Sequence, residues 1–272
     1  MNNLHRELAP ISQGAWTQIE EEASRTLKRF LAARRVVDVT GPEGMQLAAI
    51  GTGHSRPIET LCDGLDVRQR IVTPVVELKA PFSLTRAAID DVERGSKDSD
   101  WQPLKEAARR IAFAEDRIVF EGYEAGGIKG MRQLSDHQPL TFPADLDGYP
   151  NVVSRAVNSL KLAGVNGPYA LLLGAKAFEG ISGGSEEGYP LLKHMQQLVD
   201  QEVVWSPGIS GAIVTTARGG DFELTLGQDL SIGYTKHDED RVELYLQESL
   251  TFQALTSEAC VIIGAAKETA AS

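Results

Sequence analysis

RGGDFELTLGQDLSIGYTKHDEDRVELYLQESLTFQ, residues 218–253, is the stretch that decides the fold. Apolar residues alternate with polar or small ones on both sides of its centre, which is the period-two pattern of half-buried strands. The charged segment TKHDEDR, residues 235–241, separates two alternating runs, and solvated polar segments of this kind are typical of hairpin tips. The stretch therefore predicts a β-hairpin.

The hairpin tip also resembles a metal or catalytic cluster, because His237 lies among Asp229, Asp238, Glu239 and Asp240. A calcium loop needs acids at fixed alternate positions around a glycine, which this segment lacks. A zinc site needs a second histidine or cysteine at close spacing, which is also missing. A solvated turn is therefore favoured, and no metal site is predicted.

Composition and charge limit the classes of function. With 272 residues, of which 42% are hydrophobic and 24% charged, the chain can bury a sizeable core in one large or two small domains. Its net charge of -11 and the lack of a basic, aromatic-rich window disfavour nucleic-acid binding. No apolar run approaches the roughly 18 residues of a membrane span, and no signal peptide is evident, so we expect a soluble protein that is not exported.

The two cysteines, Cys62 and Cys260, lie far apart in the sequence and support neither a disulfide framework nor a CxxC metal site. A reducing cytoplasm fits this usage best. Motifs for a phosphate-binding loop, a nucleophile elbow or a zinc protease are also missing, and the scattered histidines suggest no triad. The sequence therefore predicts no catalytic residue.

Two amphipathic helices are predicted at the start of the chain and near its middle. Apolar residues recur at helical spacing from Ser12, a plausible N-cap, to Arg34. A second helix spans Pro103–Glu121 and is about 30 Å long, with Pro103 in its first turn. The charge-dense loop before it, residues 90–101, is interpreted as an N-cap region in which Ser99 and Asp100 bind free N–H groups, rather than as a pair of catalytic carboxylates.

The remaining segments alternate between extended and compact patterns. Residues 40–71 are rich in glycine and turn residues, which indicates an extended excursion or a long hairpin. In the middle third, helix and strand patterns alternate, which predicts a compact α/β unit. Its elements are helix Tyr149–Ala163, strand Tyr169–Leu173, helix Leu191–Val199 and strand Ala212–Thr216.

Several strings, in order along nearly the whole chain, resemble the encapsulins. They are NNLHRELAPIS (2–12), RRVVDVTGPEG (34–44), IDDVERGSKDSDW (89–101), AFAEDRIVFEGYEAGGIKG (112–130) and RGGDFELTLGQDLSIGY (218–234). The last string is highly specific. NNLHRELAP and ERGSKDSDW are most similar to the mycobacterial-type members.

The resemblance implies an α+β fold, that of the tailed-bacteriophage major capsid proteins. Such a chain has a peripheral domain with a spine helix, here Pro103–Glu121, an axial domain and an extended loop. The implied ranges are the N-terminal helix and start of the peripheral domain at 1–46, the extended loop at 47–73, the peripheral domain with its spine helix at 74–133, the axial domain at 134–224, and a return to the peripheral domain plus a C-terminal tail at 225–272. The tail after about Ile263 is expected to be disordered.

The resemblance also implies the function of a shell protein rather than an enzyme. About 60 copies would close into an icosahedral nanocompartment in the bacterial cytoplasm, without nucleic acid or membrane as a partner. The shell would enclose a cargo enzyme with a C-terminal targeting peptide, a dye-decolorizing peroxidase in preference to a ferritin-like protein. The alternatives are a phage major capsid protein and a hydrolytic or bacteriocin-type enzyme.

Two sets of site residues follow from the resemblance. The cargo peptide would bind in an apolar groove on the inner face, where one arginine could hold a carboxylate or a carbonyl. The groove residues are Leu27, Phe30, Leu31, Arg34, Leu230, Ile232, Tyr245 and Leu246. A loop at the fivefold pore would comprise Ser182, Gly183, Gly184, Ser185, Glu186, Glu187, Gly188 and Tyr189, and its glutamates would attract cations.

The family resemblance includes one departure that concerns cofactors. Some relatives bind flavin against a tryptophan at the position of Ala87, and alanine offers no ring on which flavin could stack. Flavin binding is therefore doubtful, and no cofactor is predicted. For the groove, the alternative left open is that Leu230 and Leu246 make intramolecular core contacts.

Overall fold

The computed structural model describes residues 3–186, 189–201 and 203–266. The helices are α1 Gln13–Phe30, α2 Arg86–Glu93, α3 Gln102–Glu121, α4 Met131–Leu134, α5 Tyr149–Leu162, α6 Ala175–Gly183 and α7 Leu191–Leu198. The strands are β1 Asp38–Thr40, β2 Ala49–Pro57, β3 Arg68–Pro74, β4 Val76–Thr85, β5 Leu140–Thr141, β6 Tyr169–Leu173, β7 Ser185–Glu186, β8 Tyr189–Pro190, β9 Val203–Trp205, β10 Ala212–Thr216, β11 Phe222–His237, β12 Arg241–Ala254 and β13 Cys260–Gly264.

The predicted hairpin is confirmed as the centre of a four-stranded sheet with the order β1-β11-β12-β4. The two alternating runs before the tip form one strand, β11, whose pairing with β12 shifts register at three places. The tip is shorter than predicted, because β11 continues to His237 and β12 begins at Arg241. Asp238 closes this turn by accepting hydrogen bonds from the backbone N–H groups of Asp240 and Arg241, 2.9 and 2.7 Å long.

The two long helices pack together on this sheet, and both are confirmed. The Ser12 hydroxyl caps α1 by accepting a hydrogen bond from the Ala15 N–H. Helix α1 ends at Phe30, earlier than predicted, because Leu31 is extended and residues 33–35 form a 3₁₀ turn. Helix α3 buries one apolar face against α1 and β4, with Pro103 in its first turn.

The loop before α3 differs in part from the prediction. Asp100 does accept a hydrogen bond from the Gln102 N–H, at 3.0 Å. Ser99 was expected to cap the helix in the same way, but its buried hydroxyl has no partner among the described residues, so that prediction is wrong. The pattern also gave no indication of α2, which Thr85 caps through the Ala88 N–H.

The predicted α/β unit is confirmed as a second, five-stranded sheet with the order β5-β13-β10-β6-β9. The strand β13 requires a correction to the predicted ranges. Residues 225–272 were assigned to the peripheral domain and tail, but Cys260–Gly264 pairs antiparallel with β10 inside the second sheet. Its residues 260–263 are buried there, so the chain returns to the second sheet before it ends. The predicted tail lies largely outside the described residues.

The segment predicted to be an extended loop forms a separate two-stranded ribbon, β2 paired with β3. Residues 58–67 connect the two strands at the far end. In the part of the chain that the structure describes, no helix is long and apolar enough to span a membrane.

Candidate functional site

Arg34 joins three elements through ion pairs. Its guanidinium donates to Glu115 on α3 at 2.6–2.9 Å, to Asp229 on β11 at 2.8 Å and to Glu248 on β12 at 3.2 Å. The side chains of Glu115 and Glu248 are fully buried. We call Arg34, Glu115, Asp229 and Glu248 the Arg34 cluster.

The cluster carries one cation and three carboxylates, and this imbalance shifts its pKa values. Burial and the neighbouring charge of Glu115 raise the pKa of Glu248 well above its usual range. Burial opposes the charge of Arg34, but hydrogen bonds and ion pairs with Glu115 and Asp229 outweigh it and raise the pKa of Arg34. Arg34 is therefore committed within the chain, which argues against its predicted role in holding a cargo carboxylate or carbonyl.

Asp116, the residue after Glu115, holds the segment that follows α1. Its buried carboxylate accepts hydrogen bonds from the backbone N–H groups of Ala32 and Ala33, at 3.0 and 2.8 Å. Burial raises the pKa of Asp116 to about 7, against the opposing effect of the Ala33 hydrogen bond. Asp116 thereby anchors the end of α1 to the middle of α3.

Asp116→Asn is expected to change how stability depends on pH. The pKa of Asp116 rises from 3.8 to about 7 on folding, so its favourable contribution is complete below about pH 4 and is lost as the pH rises towards 7. Asparagine keeps an acceptor for the N–H groups but does not titrate. In melting-temperature profiles between pH 4 and 7, the variant should lose less stability with rising pH than the wild type. Parallel profiles would contradict the assignment.

Most of the predicted groove residues belong to the core of the free chain. Leu27, Ile232 and Leu246 are buried in one apolar cluster with α1, α3 and β4. Tyr245 is also buried, and its hydroxyl lies 3.3 Å from the backbone oxygen of Asn3, to which it donates. The alternative of intramolecular contacts thus describes Leu246 well.

Three predicted groove residues keep part of their surface open: Phe30, Leu31 and Leu230 are only partly buried. Phe30 begins a row of partly buried aromatic rings that runs from α1 to the second sheet. Its ring centroid lies 5.5 Å from that of Phe113 and 5.6 Å from that of Trp205, and Trp205 lies 6.5 Å from Phe178. Sequence analysis missed this row, because its members come from four different elements.

A cleft of about 400 Å³ borders Phe30 between α1 and α3. Arg29 and Arg109 line it, and neither has a carboxylate partner among the described residues. The guanidinium of Arg29 lies 5.9 Å from the centroid of the Phe30 ring. An extended peptide with apolar side chains could place one of them on Phe30 and an acceptor on these arginines.

The N-terminal segment covers part of the predicted groove. The Tyr234 N–H donates to the Leu4 oxygen at 2.8 Å, and the Asn3 amide donates to Gln228 at 3.2 Å. These bonds lie on β11 beyond the part that pairs with β1. The chain's own residues 3–4 therefore occupy this end of the β11 edge.

The predicted pore loop is more regular than a loop. Ser182 and Gly183 end α6, Ser185–Glu186 and Tyr189–Pro190 pair as a short ribbon, and Glu187 and Gly188 lie outside the described residues. The predicted flavin position, Ala87, is exposed on the first turn of α2 and offers no aromatic ring. Among the residues with described side chains, no group of three or more potential ligands could hold a metal ion.

His237 has a structural partner at the end of the hairpin. Its Nδ1 atom lies 2.6 Å from the hydroxyl of Tyr234. Hydrogen bonds from the backbone of Asp240 and Arg241 lower the pKa of Asp238, so that carboxylate serves the turn. The cluster is therefore a hairpin tip, as the sequence indicates.

The architecture defines the class of protein. Over 90% of this chain and 98% of the other, the structure matches a virus-like particle from Pyrococcus furiosus with a TM-score of 0.59 and 15% identity. It matches the capsid of Myoviridae phage XM1 over 86% of this chain and 92% of the other, with a TM-score of 0.51 and 8% identity. At these identities the likeness shows the fold alone, which is that of the tailed-bacteriophage major capsid proteins. Helix α3 is its spine and β2–β3 its extended loop.

The sequence comparisons identify the family. Residues 1–251 match the family described as "Encapsulating protein for peroxidase". The type 1 encapsulin shell protein of Rhodococcus erythropolis is 58% identical over 96% of this chain and 99% of its own length. That of Mycobacterium tuberculosis is 51% identical over 97% and 99%. The chain belongs to the encapsulin shell-protein family, and it assembles with copies of itself into the shell of a nanocompartment.

Family membership decides between the functional alternatives. Relatives with more than half of their residues identical to this chain are named as shell proteins and not as enzymes. The hydrolytic or bacteriocin-type alternative is therefore not supported. The likeness to phage capsids is structural only and does not favour a phage protein.

Proposed function

We propose that the shell formed by this chain encloses a peroxidase of the dye-decolorizing class in the bacterial cytoplasm. The observation that carries this proposal is the match of residues 1–251 to a family described as encapsulating a peroxidase. A ferritin-like protein is the alternative cargo. We further propose an icosahedral shell of about 60 copies, since closed symmetric assemblies are the rule for homo-oligomers.

The cargo binds through a C-terminal peptide at the partly open surface formed by Phe30, Leu31 and Leu230. Partial burial supports this choice, because these side chains can still lose exposed apolar area when a peptide covers them. Leu27, Ile232 and Leu246 would support the surface from below rather than touch the peptide. Arg34 would fix the position of the surface through its own carboxylates and not through the cargo.

Small molecules reach the cargo through the pore that the loop at residues 182–189 forms with its symmetry copies. The acidic residues Glu186 and Glu187 support this assignment, since a ring of carboxylates attracts cations and repels anions. We propose no flavin at Ala87, because an exposed alanine gives a flavin ring no partner for stacking.

Purification of shells from the source bacterium tests the cargo. We expect mass spectrometry to identify a dye-decolorizing peroxidase that stays with the shells through size exclusion. Removal of its C-terminal segment should leave the shells intact but empty. Shells that contain no peroxidase, or that retain it without this segment, would contradict the proposal. A ferritin-like protein in its place would support the alternative cargo.

A further inference from the structure

The β2–β3 ribbon leaves unusually many large apolar side chains exposed. Two paired strands without further packing are marginally stable in water, so the ribbon needs a partner. Exposed contiguous apolar surface of this kind marks an interaction site. The exposed fractions are 45% for Ile58, 86% for Leu61, 52% for Leu65, 39% for Ile71 and 51% for Val72.

The charged residues of the ribbon are sorted by position. The connecting segment, residues 58–67, which we call the tip, carries three carboxylates and no cation. The adjoining strand ends carry three arginines and no carboxylate, and we call these residues the stem arginines. The tip carboxylates are Glu59, Asp63 and Asp66, and the stem arginines are Arg56, Arg68 and Arg70; all six are exposed.

The stem arginines are held by neutral groups rather than by acids. Arg56 donates to the Gln69 side-chain oxygen at 3.0 and 2.8 Å. Arg68 donates to the Ser55 hydroxyl at 3.0 Å. Among the described residues no carboxylate lies within ion-pair distance of any stem arginine or any base near a tip carboxylate. Both charged groups are therefore orientated on the ribbon but electrostatically unpaired.

We propose that the acidic tip of one copy binds the stem arginines of a second copy's ribbon. Three carboxylates meet three guanidinium groups, and Leu61 and Leu65 accompany the tip onto a surface that already exposes Ile71 and Val72. The net charge of the chain is -11, so most surfaces of a second copy repel the tip, and the stem is a local exception. Tip and stem thus determine which parts of two copies meet.

Charge reversal tests this contact. Glu59→Arg/Asp63→Arg/Asp66→Arg places like charges on tip and stem, and so does Arg56→Glu/Arg68→Glu/Arg70→Glu. Each triple variant is expected to raise the protein concentration needed for half-maximal shell formation by about tenfold or more, because several ion pairs per contact are replaced by repulsion. The combination of all six substitutions restores attraction and should return shell formation close to the wild-type level. Light scattering and negative-stain microscopy provide the readout.

Two controls keep the test sharp. Glu239→Arg/Asp240→Arg/Glu258→Arg changes the net charge by the same amount at exposed sites outside the ribbon, and should assemble normally. The milder neutral variants Glu59→Gln/Asp63→Asn/Asp66→Asn and Arg56→Gln/Arg68→Gln/Arg70→Gln preserve the ribbon if reversal disturbs folding. Combined, the neutral variants should weaken assembly no more than either one alone. Normal assembly of the reversed tip, or additive effects of the neutral variants, would overturn the proposal.

Discussion

Arg34→Met is expected to lower the free energy of unfolding by about 3–5 kcal/mol, because it leaves Glu115 and Glu248 buried without their cation. Both carboxylates are fully buried, so water cannot replace the guanidinium. Urea titration of the shells, followed by tryptophan fluorescence, measures the loss.

The same cluster provides its own rescue. Arg34→Met combined with Glu115→Gln and Glu248→Gln removes the uncompensated charges and should recover most of the lost stability. Arg29→Met is the matched control: Arg29 is exposed near the end of α1 and has no carboxylate partner among the described residues, so its replacement should change stability by less than about 0.5 kcal/mol. An Arg34→Met variant as stable as this control would show that the cluster contributes little.

Phe30→Ala is expected to weaken cargo loading by about tenfold to a hundredfold while closed shells still form. The phenyl ring is partly open and can bury further apolar area under a peptide, which is worth about 1.5–3 kcal/mol for a large side chain. The ratio of cargo to shell protein in purified particles measures the effect.

The row of aromatic rings supplies the control for this prediction. Phe178 lies at its other end, 6.5 Å from Trp205, and is also partly buried. Phe178→Ala should therefore lower stability comparably but leave cargo loading unchanged. Equal losses of cargo in both variants would mean that the effect comes from packing in the row and not from a peptide on Phe30.

Local pattern predicted the parts of the fold that depend on local interactions. The Ser12 cap, the spine helix and the β11–β12 hairpin follow from periodicity and turn chemistry within a few residues. The return of Cys260–Gly264 to the second sheet could not be predicted in this way, because its neighbour in the sheet is Ala212–Thr216. A short apolar run does not indicate which sheet it joins.

The Arg34 cluster was missed for the same reason, since its members are 81 to 214 residues apart in the sequence. A signal was nevertheless present. Glu115 falls on the buried face of α3, four residues after Ile111, and Glu248 takes an apolar position in the alternation of β12. Acids at positions where the pattern requires apolar residues indicate a buried ion pair.

The central claim is that this chain closes on itself into a shell, and its most direct test is mass measurement of the purified protein. Mass photometry, with negative-stain microscopy of the same sample, should show closed particles of uniform diameter and a single large mass. A stable monomer or an open, polydisperse aggregate under these conditions would contradict the account.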